Sequence, residues 1–246
     1  MCIAVFIWKS HPIYPFLLLL NRDEFHNRPT TALSWWEDGE IVGGRDGRAG
    51  GTWLACTKDG KSQKSPKEFA EELVAEADQY NGFNLIVADL CSMTMLYITN
   101  RPKDDGPSIT EVAPGIHVLS NAKLDTPWPK AQRLRQSFED VVQKCCDAEI
   151  SMEEITEKLM TDTTKDDDEQ ELPHIYPPAF EYLLSAIFVE ADTPSGRYGT
   201  RSISAVALKT SGAVSLYERS LEDNVWKEKT INYYIERERR GRSLVD

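Results

Sequence analysis

Two apolar runs near the start of the chain, Ile3–Trp8 and residues 16–20, are each of strand length, and the loop between them carries Pro12 and Pro15. Runs this uniformly apolar predict a hairpin whose strands are buried on both faces, which commits the fold to layers on either side of a sheet. In an antiparallel pair the start of the first strand lies beside the end of the second. Cys2 is thereby set level with Asn21, Arg22 and Asp23, so a thiol, a guanidinium and a carboxylate meet at one sheet edge.

Position 2 becomes the chain terminus if Met1 is removed, and a side chain as small as cysteine permits removal. Nucleophile and base then sit on one residue, because an α-amine of pKa roughly 7.7–8.0 can take a proton from a thiol of pKa about 8.5. The plainer alternative is that Cys2 is a small buried hydrophobe and Arg22–Asp23 an ion pair closing the strand.

The chain has 246 residues, 41% of them hydrophobic and 28% charged, which suits one globular domain over 1–246. Its 28 basic against 40 acidic residues give a net charge of −12. Such a balance repels phosphate backbones and argues against nucleic acid as the partner. The basic run of Arg237, Arg239, Arg240 and Arg242 is interleaved with acidic residues and reads as a solvated tail. Cys2, Cys56, Cys91, Cys145 and Cys146 are odd in number and lack a C-x-x-C pair, which speaks against a disulfide framework or a zinc site. Residues 16–20 are too short to span a bilayer, and no signal peptide precedes them, so a cytoplasmic setting without a transmembrane segment is expected.

Further along, residues 41–44 and 52–57 read as strands flanking a glycine-rich loop that lacks phosphate-loop spacing. Lys58-Asp59-Gly60-Lys61 is a strong hairpin turn. No returning strand follows it. Ser65-Pro66-Lys67-Glu68 instead opens a helix over 66–77 with a capping box. Strands are expected at 83–88, 95–99 and 115–122, helices at 129–146 and 152–160, an acidic surface loop at 165–171, and strands at 186–190, 200–208, 214–219 and 229–235. Hairpins with helices gathered in mid-chain make an α+β domain of two stacked, mostly antiparallel sheets with helices outside. Cys2, Arg22, Asp23, Asn121 and Arg201 all fall at strand ends.

Met1-Cys2-Ile3, Asn21-Arg22-Asp23-Glu24, Gly50-Gly51-Thr52-Trp53-Leu54, Tyr80-Asn81-Gly82-Phe83-Asn84-Leu85, Leu119-Ser120-Asn121-Ala122 with Pro127-Trp128, and Tyr198-Gly199-Thr200-Arg201 together resemble the NRDE-motif, or transport and Golgi organisation 2, family. The resemblance runs nearly end to end. It implies a four-layer αββα fold similar to N-terminal-nucleophile hydrolases, with roles in Golgi organisation, secretion, and haem and lipid handling. By that analogy Cys2 is the nucleophile, Arg22 and Asp23 orient it, Asn121 donates to an oxyanion and Arg201 holds the site electrostatically. No cofactor is required, haem being a transported ligand, and the setting is cytoplasmic at the Golgi or mitochondria. Family members continue after Asp59-Gly60-Lys61 with a strand ending in Leu-Thr-Asn, and that segment is absent here, as in a shortened isoform.

Two functional classes follow: a trafficking factor that binds haem or an acyl group, and an N-terminal cysteine hydrolase acting on an amide or thioester. The two arginines set against Asp23 predict a small-molecule ligand with an anionic group. The lost hairpin partner predicts an open edge at residues 52–57, self-association through it, and partial protection by Lys58, Lys61, Lys64 and Lys67.

Overall fold

In the computed structural model, which describes residues 1–60, 64–145 and 148–235, the first hairpin forms as expected. Strand β1 (Ile3–Trp8) pairs antiparallel with β2 (Phe16–Phe25), with Ile3 opposite Asn21 and Trp8 opposite Phe16. It lies inside a seven-stranded sheet. On one side β1 pairs with β9 (Gly115–Leu119); on the other, β2 pairs with β11 (Gly196–Leu208), followed by β12 (Ala213–Glu222) and β13 (Val225–Tyr234). Strand β10 (Glu190–Thr193) pairs with the first part of β11.

Because successive side chains alternate, Ile3, Val5 and Ile7 face one way and Phe6 and Trp8 the other, and all are buried. The first set packs with Leu17, Leu19, Ile203 and Ala205 under helices α2 (Pro129–Lys144) and α3 (Met152–Met160), through Leu134, Phe138, Ile155 and Leu159. The second set packs with Val206, Leu208 and Leu216 against two small sheets. One comprises β3 (Thr30–Trp35), β4 (Ile41–Asp46) and β5 (Ala55–Thr57); the other comprises β6 (Asn84–Asp89), β7 (Thr94–Thr99) and β8 (Ser108–Glu111). Helix α1 (Pro66–Ala75) covers the outer face of the second small sheet through Ala70 against Leu96 and Ile98. The order is helix, sheet, paired small sheets, helix: four layers in an α+β sandwich.

The inner layer departs from expectation by being two sheets rather than one. The Asp59-Gly60 turn is made, with Gly60 at φ +70°, and Gly60 O accepts from Leu90 N at 3.1 Å. Among the described residues no strand returns alongside β5. The strand expected over 52–57 is cut to three residues because the Thr52 hydroxyl bonds the carbonyl and N–H of Leu54, curling the chain before the ladder starts. Strands β3 and β8 form where the sequence predicts no strand. The strand expected at 186–190 starts at Glu190 instead; Ala186, Ile187 and Val189 are buried by the layers around them rather than by a ladder. Helix α4 (Pro178–Leu184) was also not anticipated. Glu181 on it accepts the N–H groups of His174, Ile175 and Tyr176, closing the loop before it. Lys61, Cys146 and the basic run at 237–242 lie outside the described residues. No helix among the described residues is long and apolar enough to cross a membrane.

Candidate functional site

The β1–β2 register carries Cys2 beside Asp23: the Asp23 N–H donates to Sγ at 3.3 Å, and the thiol points back at Asp23 O, 3.7 Å away. The terminal ammonium of Met1 lies 3.2 Å from Asp23 Oδ2 and donates to the Tyr198 hydroxyl at 3.0 Å. Both members of that ion pair are enclosed, their side chains 3% and 0% exposed. Asp23 Oδ1 accepts from Thr200 Oγ1 at 2.7 Å. Lys130, buried at the start of α2, donates to Met1 O, Leu184 O and Ala186 O. Asn21 ties the hairpin to Met160 O and Ile187 O, so residues distant in the chain converge on the first three.

With Met1 in place, burial and then the Asp23 charge push the Cys2 thiol up, against the smaller opposing effects of the ammonium, the Asp23 N–H and Arg22. The thiol is therefore neutral in this arrangement. The amine that would serve it as base is one residue away and engaged with Asp23.

Arg22 reaches outward. Its guanidinium donates to Thr30 Oγ1 (3.2 Å) and to Asp46 Oδ2 (3.1 Å), and stacks on Trp53 with 4.2 Å to the ring centroid. That indole lies on bare backbone: a Cβ added at Gly44 would meet it at 2.1 Å. Arg28 shares Asp46 at 2.7 Å and also reaches Glu24 at 3.4 Å. Burial raises the Asp46 pKa, but the Arg28 hydrogen bond and the N–H groups of Ala49 and Arg48 outweigh it and bring the carboxyl down to about 2 from 3.8. A carboxyl depressed in the folded state stabilises above its unfolded pKa, and that stability is lost as pH falls. Unfolding by urea should therefore become easier between pH 4 and 2, by about 1–2 kcal/mol after allowance for solvent screening. Asp46→Asn should remove that part of the pH dependence; identical acid profiles for the two proteins would sink the assignment.

Arg201 does not join Cys2. The β2–β11 ladder pairs Thr200 with Asp23 and Ser202 with Arg22, so Arg201 is the extra residue of a bulge, which re-aims its side chain. It donates to Phe25 O, Arg28 O and Thr30 Oγ1, meeting Arg22 at that hydroxyl. Asn121 lies two residues past the end of β9, where the Ala4–Leu119 register, if continued, would set it level with Cys2. The group that actually touches the Cys2 backbone there is Ser120, whose Oγ donates to Cys2 O at 2.8 Å. Asn84 holds this turn by donating to Ser120 O and Ala122 O.

Lys130, Tyr198, Ser120 and Asn84 were not among the sequence-derived candidates. Lys130 had a readable signal: residues 130, 134, 138 and 142 are spaced by four on one helix face, and the last three are apolar. A lysine in phase with a buried stripe has an interior partner.

Cys2 and Arg22 open onto a cavity of about 710 Å³ between the large sheet and the small ones. Its floor is apolar, formed by Phe6, Phe16, Leu18, Leu20 and Val206; residues 52–57 and 84–88 form its long walls, and Phe69 of α1 borders it. A smaller cleft of about 190 Å³, lined by His26, Glu190 and Arg197, contains no thiol.

A sequence profile of the family described as Transport and Golgi organisation 2 matches residues 1–62 and 61–223, two stretches that meet at the missing hairpin strand. A mouse protein named Transport and Golgi organization 2 homolog is 28% identical over 285 aligned positions, covering 96% of this chain and all of the relative. The corresponding Bos taurus protein is 29% identical, covering 90% and 93% of the two chains, and a Drosophila melanogaster protein named Transport and Golgi organization protein 2 is 23% identical, covering 65% and 71%.

Proposed function

The chain belongs to the Transport and Golgi organisation 2 family, and on that premise we propose that it serves Golgi organisation and secretory traffic by handling an apolar molecule that carries an anionic group. The observation that carries this reading is one cavity with an apolar floor and a guanidinium, Arg22, at its thiol end. Around that end three arginines, Arg22, Arg28 and Arg201, face two carboxylates, Glu24 and Asp46. The local surplus is positive in a chain of net charge −12, and a cleft with low-dielectric walls focuses it. An acyl chain suits the lining better than haem. None of His11, His26, His117 and His174 lines the cavity, and Cys56, which does, has its thiol pushed up to about 12 by burial and stays protonated. We place this work in the cytoplasm, at Golgi or mitochondrial membranes approached from the aqueous side.

A fluorescent long-chain fatty acid tests it. Arg22→Gln should weaken binding about tenfold at low salt, the worth of one charged hydrogen bond, and the difference should shrink as salt rises. Equal binding by the two proteins at low ionic strength would remove Arg22 from the site and the reading with it.

A second reading is favoured by the thiol itself, which opens on the same cavity under the Asp23 N–H. In chains that begin at Cys2, the amine would take the thiol proton and sulfur would add to an amide or thioester carbonyl; the ammonium would return that proton to the departing amine or thiol as its bond to the acyl carbon breaks, and water would then hydrolyse the acyl-thioester and free Cys2. Intact mass separates chains starting at Met1 from those starting at Cys2. A thiol-reactive acyl probe, located by peptide mapping, should label Cys2 only in the latter, and Cys2→Ser should lose all turnover. Equal labelling of both forms would show that the amine is not the base.

A further inference from the structure

Met1 occupies a compartment that its own contacts define. Its ammonium meets Asp23 Oδ2 at 3.2 Å and donates to the Tyr198 hydroxyl at 3.0 Å, while its carbonyl accepts from Lys130 Nζ at 3.2 Å. Its side chain packs with Leu184 and Val189, each 1% exposed, and with Trp128, Phe180 and Tyr198 around them. These walls do not depend on Met1. Lys130 also donates to Leu184 O and Ala186 O, and Val189 exchanges hydrogen bonds with Thr200 in both directions. Tyr198 is set edge-on against Phe25 and Phe180. Asp23 Oδ2 is buried without a hydrogen-bond partner among the described residues, where the Met1 ammonium is its one ion-pair partner.

Removal of Met1 takes away the occupant and leaves those groups standing. A carboxylate, an ammonium and an apolar hollow are then buried without the atoms that they contact here, which is unfavourable on both electrostatic and packing grounds. The new amine on Cys2 stands where the peptide nitrogen stood and fills none of the hollow. We propose that, in chains beginning at Cys2, this compartment binds a free apolar α-amino acid of methionine's size. Its ammonium lies on Asp23 and Tyr198, its carboxylate between Lys130 and the Cys2 amine, and its side chain against Leu184 and Val189. Splitting the Met1–Cys2 bond with water adds one carboxylate and one ammonium, and these two face each other, so the filled site carries the same net charge as it does with Met1 in place. The contacts also select. Ammonium, carboxylate and side chain are each addressed separately, which fixes the hand of the ligand. A glutamine side chain would bury its amide among apolar walls without partners, and a peptide would run its second residue into Cys2. The inference rests on the second reading above for the chain that begins at Cys2, but not for any turnover.

The test uses the full chain beginning at Cys2, released from a fusion by a protease that leaves Cys2 first and checked by intact mass, beside the chain that keeps Met1. Equilibrium dialysis with radiolabelled L-methionine should show saturable binding at a single site in the first and none in the second. D-methionine, L-glutamine and L-methionine amide, which lacks the carboxylate, should compete about tenfold or more weakly. Leu184→Phe fills the hollow and should abolish binding, with circular dichroism reporting that the fold is kept. If the chain from Cys2 does not fold alone, L-methionine should restore folding and D-methionine should not. Equal binding to the two chains, equal competition by the two enantiomers, or a chain from Cys2 on which L-methionine has no effect, folded or unfolded, would each overturn the proposal. Labelling of Cys2 by the acyl probe is measured separately and decides turnover without bearing on the compartment.

Discussion

Asp23→Ala is expected to lower the stability of the protein by about 3–5 kcal/mol, the cost of leaving one member of a buried ion pair without its partner. Met1 as a whole is 4% exposed, so its ammonium has no open route to water in the folded state. The substitution also strands the Thr200 hydroxyl, whose acceptor is the same carboxylate. Asp23→Asn should fall in between, because it keeps the shape and an oxygen for Thr200 but discards the charge. Urea unfolding followed by circular dichroism reads both values, and an unchanged dependence on urea would confirm that the unfolded reference is the same. A loss of under about 1 kcal/mol for Asp23→Ala would mean that the terminus finds another partner and that this cluster does not anchor the fold.

Lys130→Ala should cost a similar amount, on the order of 3–5 kcal/mol, through three carbonyls left without a donor and the space its stem occupied. Lys130→Met keeps most of the stem and separates the two contributions, so it should recover part of the loss. Burial holds the Lys130 pKa below 10.5, against the opposing pull of Asp23. In the alkaline window below 10.5 the unfolded chain then binds more protons than the folded one, so this lysine makes stability rise with pH. Its sign there is that of a desolvated cation, and loss of the rise in Lys130→Met would identify the source. If Lys130→Ala unfolds at the wild-type urea midpoint, the three carbonyls are satisfied some other way.

What the chain disclosed beforehand was local. The β1–β2 hairpin, the Ser65 capping box and the full extent of α3 depend on neighbours in sequence, and each forms as read. Cys2 beside Asp23 belongs with them, since hairpin geometry alone places it. Strands β3 and β8 were invisible because Thr30–Trp35 and Ser108–Glu111 are too polar for an apolar pattern and owe their conformation to their partners. Arg201 was expected at the thiol, but a bulge turns it away, and nothing in Tyr198-Gly199-Thr200-Arg201 announces an extra residue in the ladder. Lys130 was passed over because lysines are ordinarily solvated; only its phase with Leu134, Phe138 and Val142 set it apart.

The enclosure of Met1 also imposes an order of events during synthesis. Its ammonium is held by Asp23 and Tyr198, and its carbonyl by Lys130, and of these Lys130 and Tyr198 are made long after it. At the ordinary pace of a ribosome, the interval between Met1 and Tyr198 is roughly 10–40 s. Throughout that interval the terminus has no finished pocket to enter and stays within reach of an aminopeptidase; once the last third of the chain docks, it is sealed in. Any excision that frees the Cys2 amine must therefore precede the completion of the large sheet, and slower translation of residues 130–200 is expected to raise the share of chains that begin at Cys2.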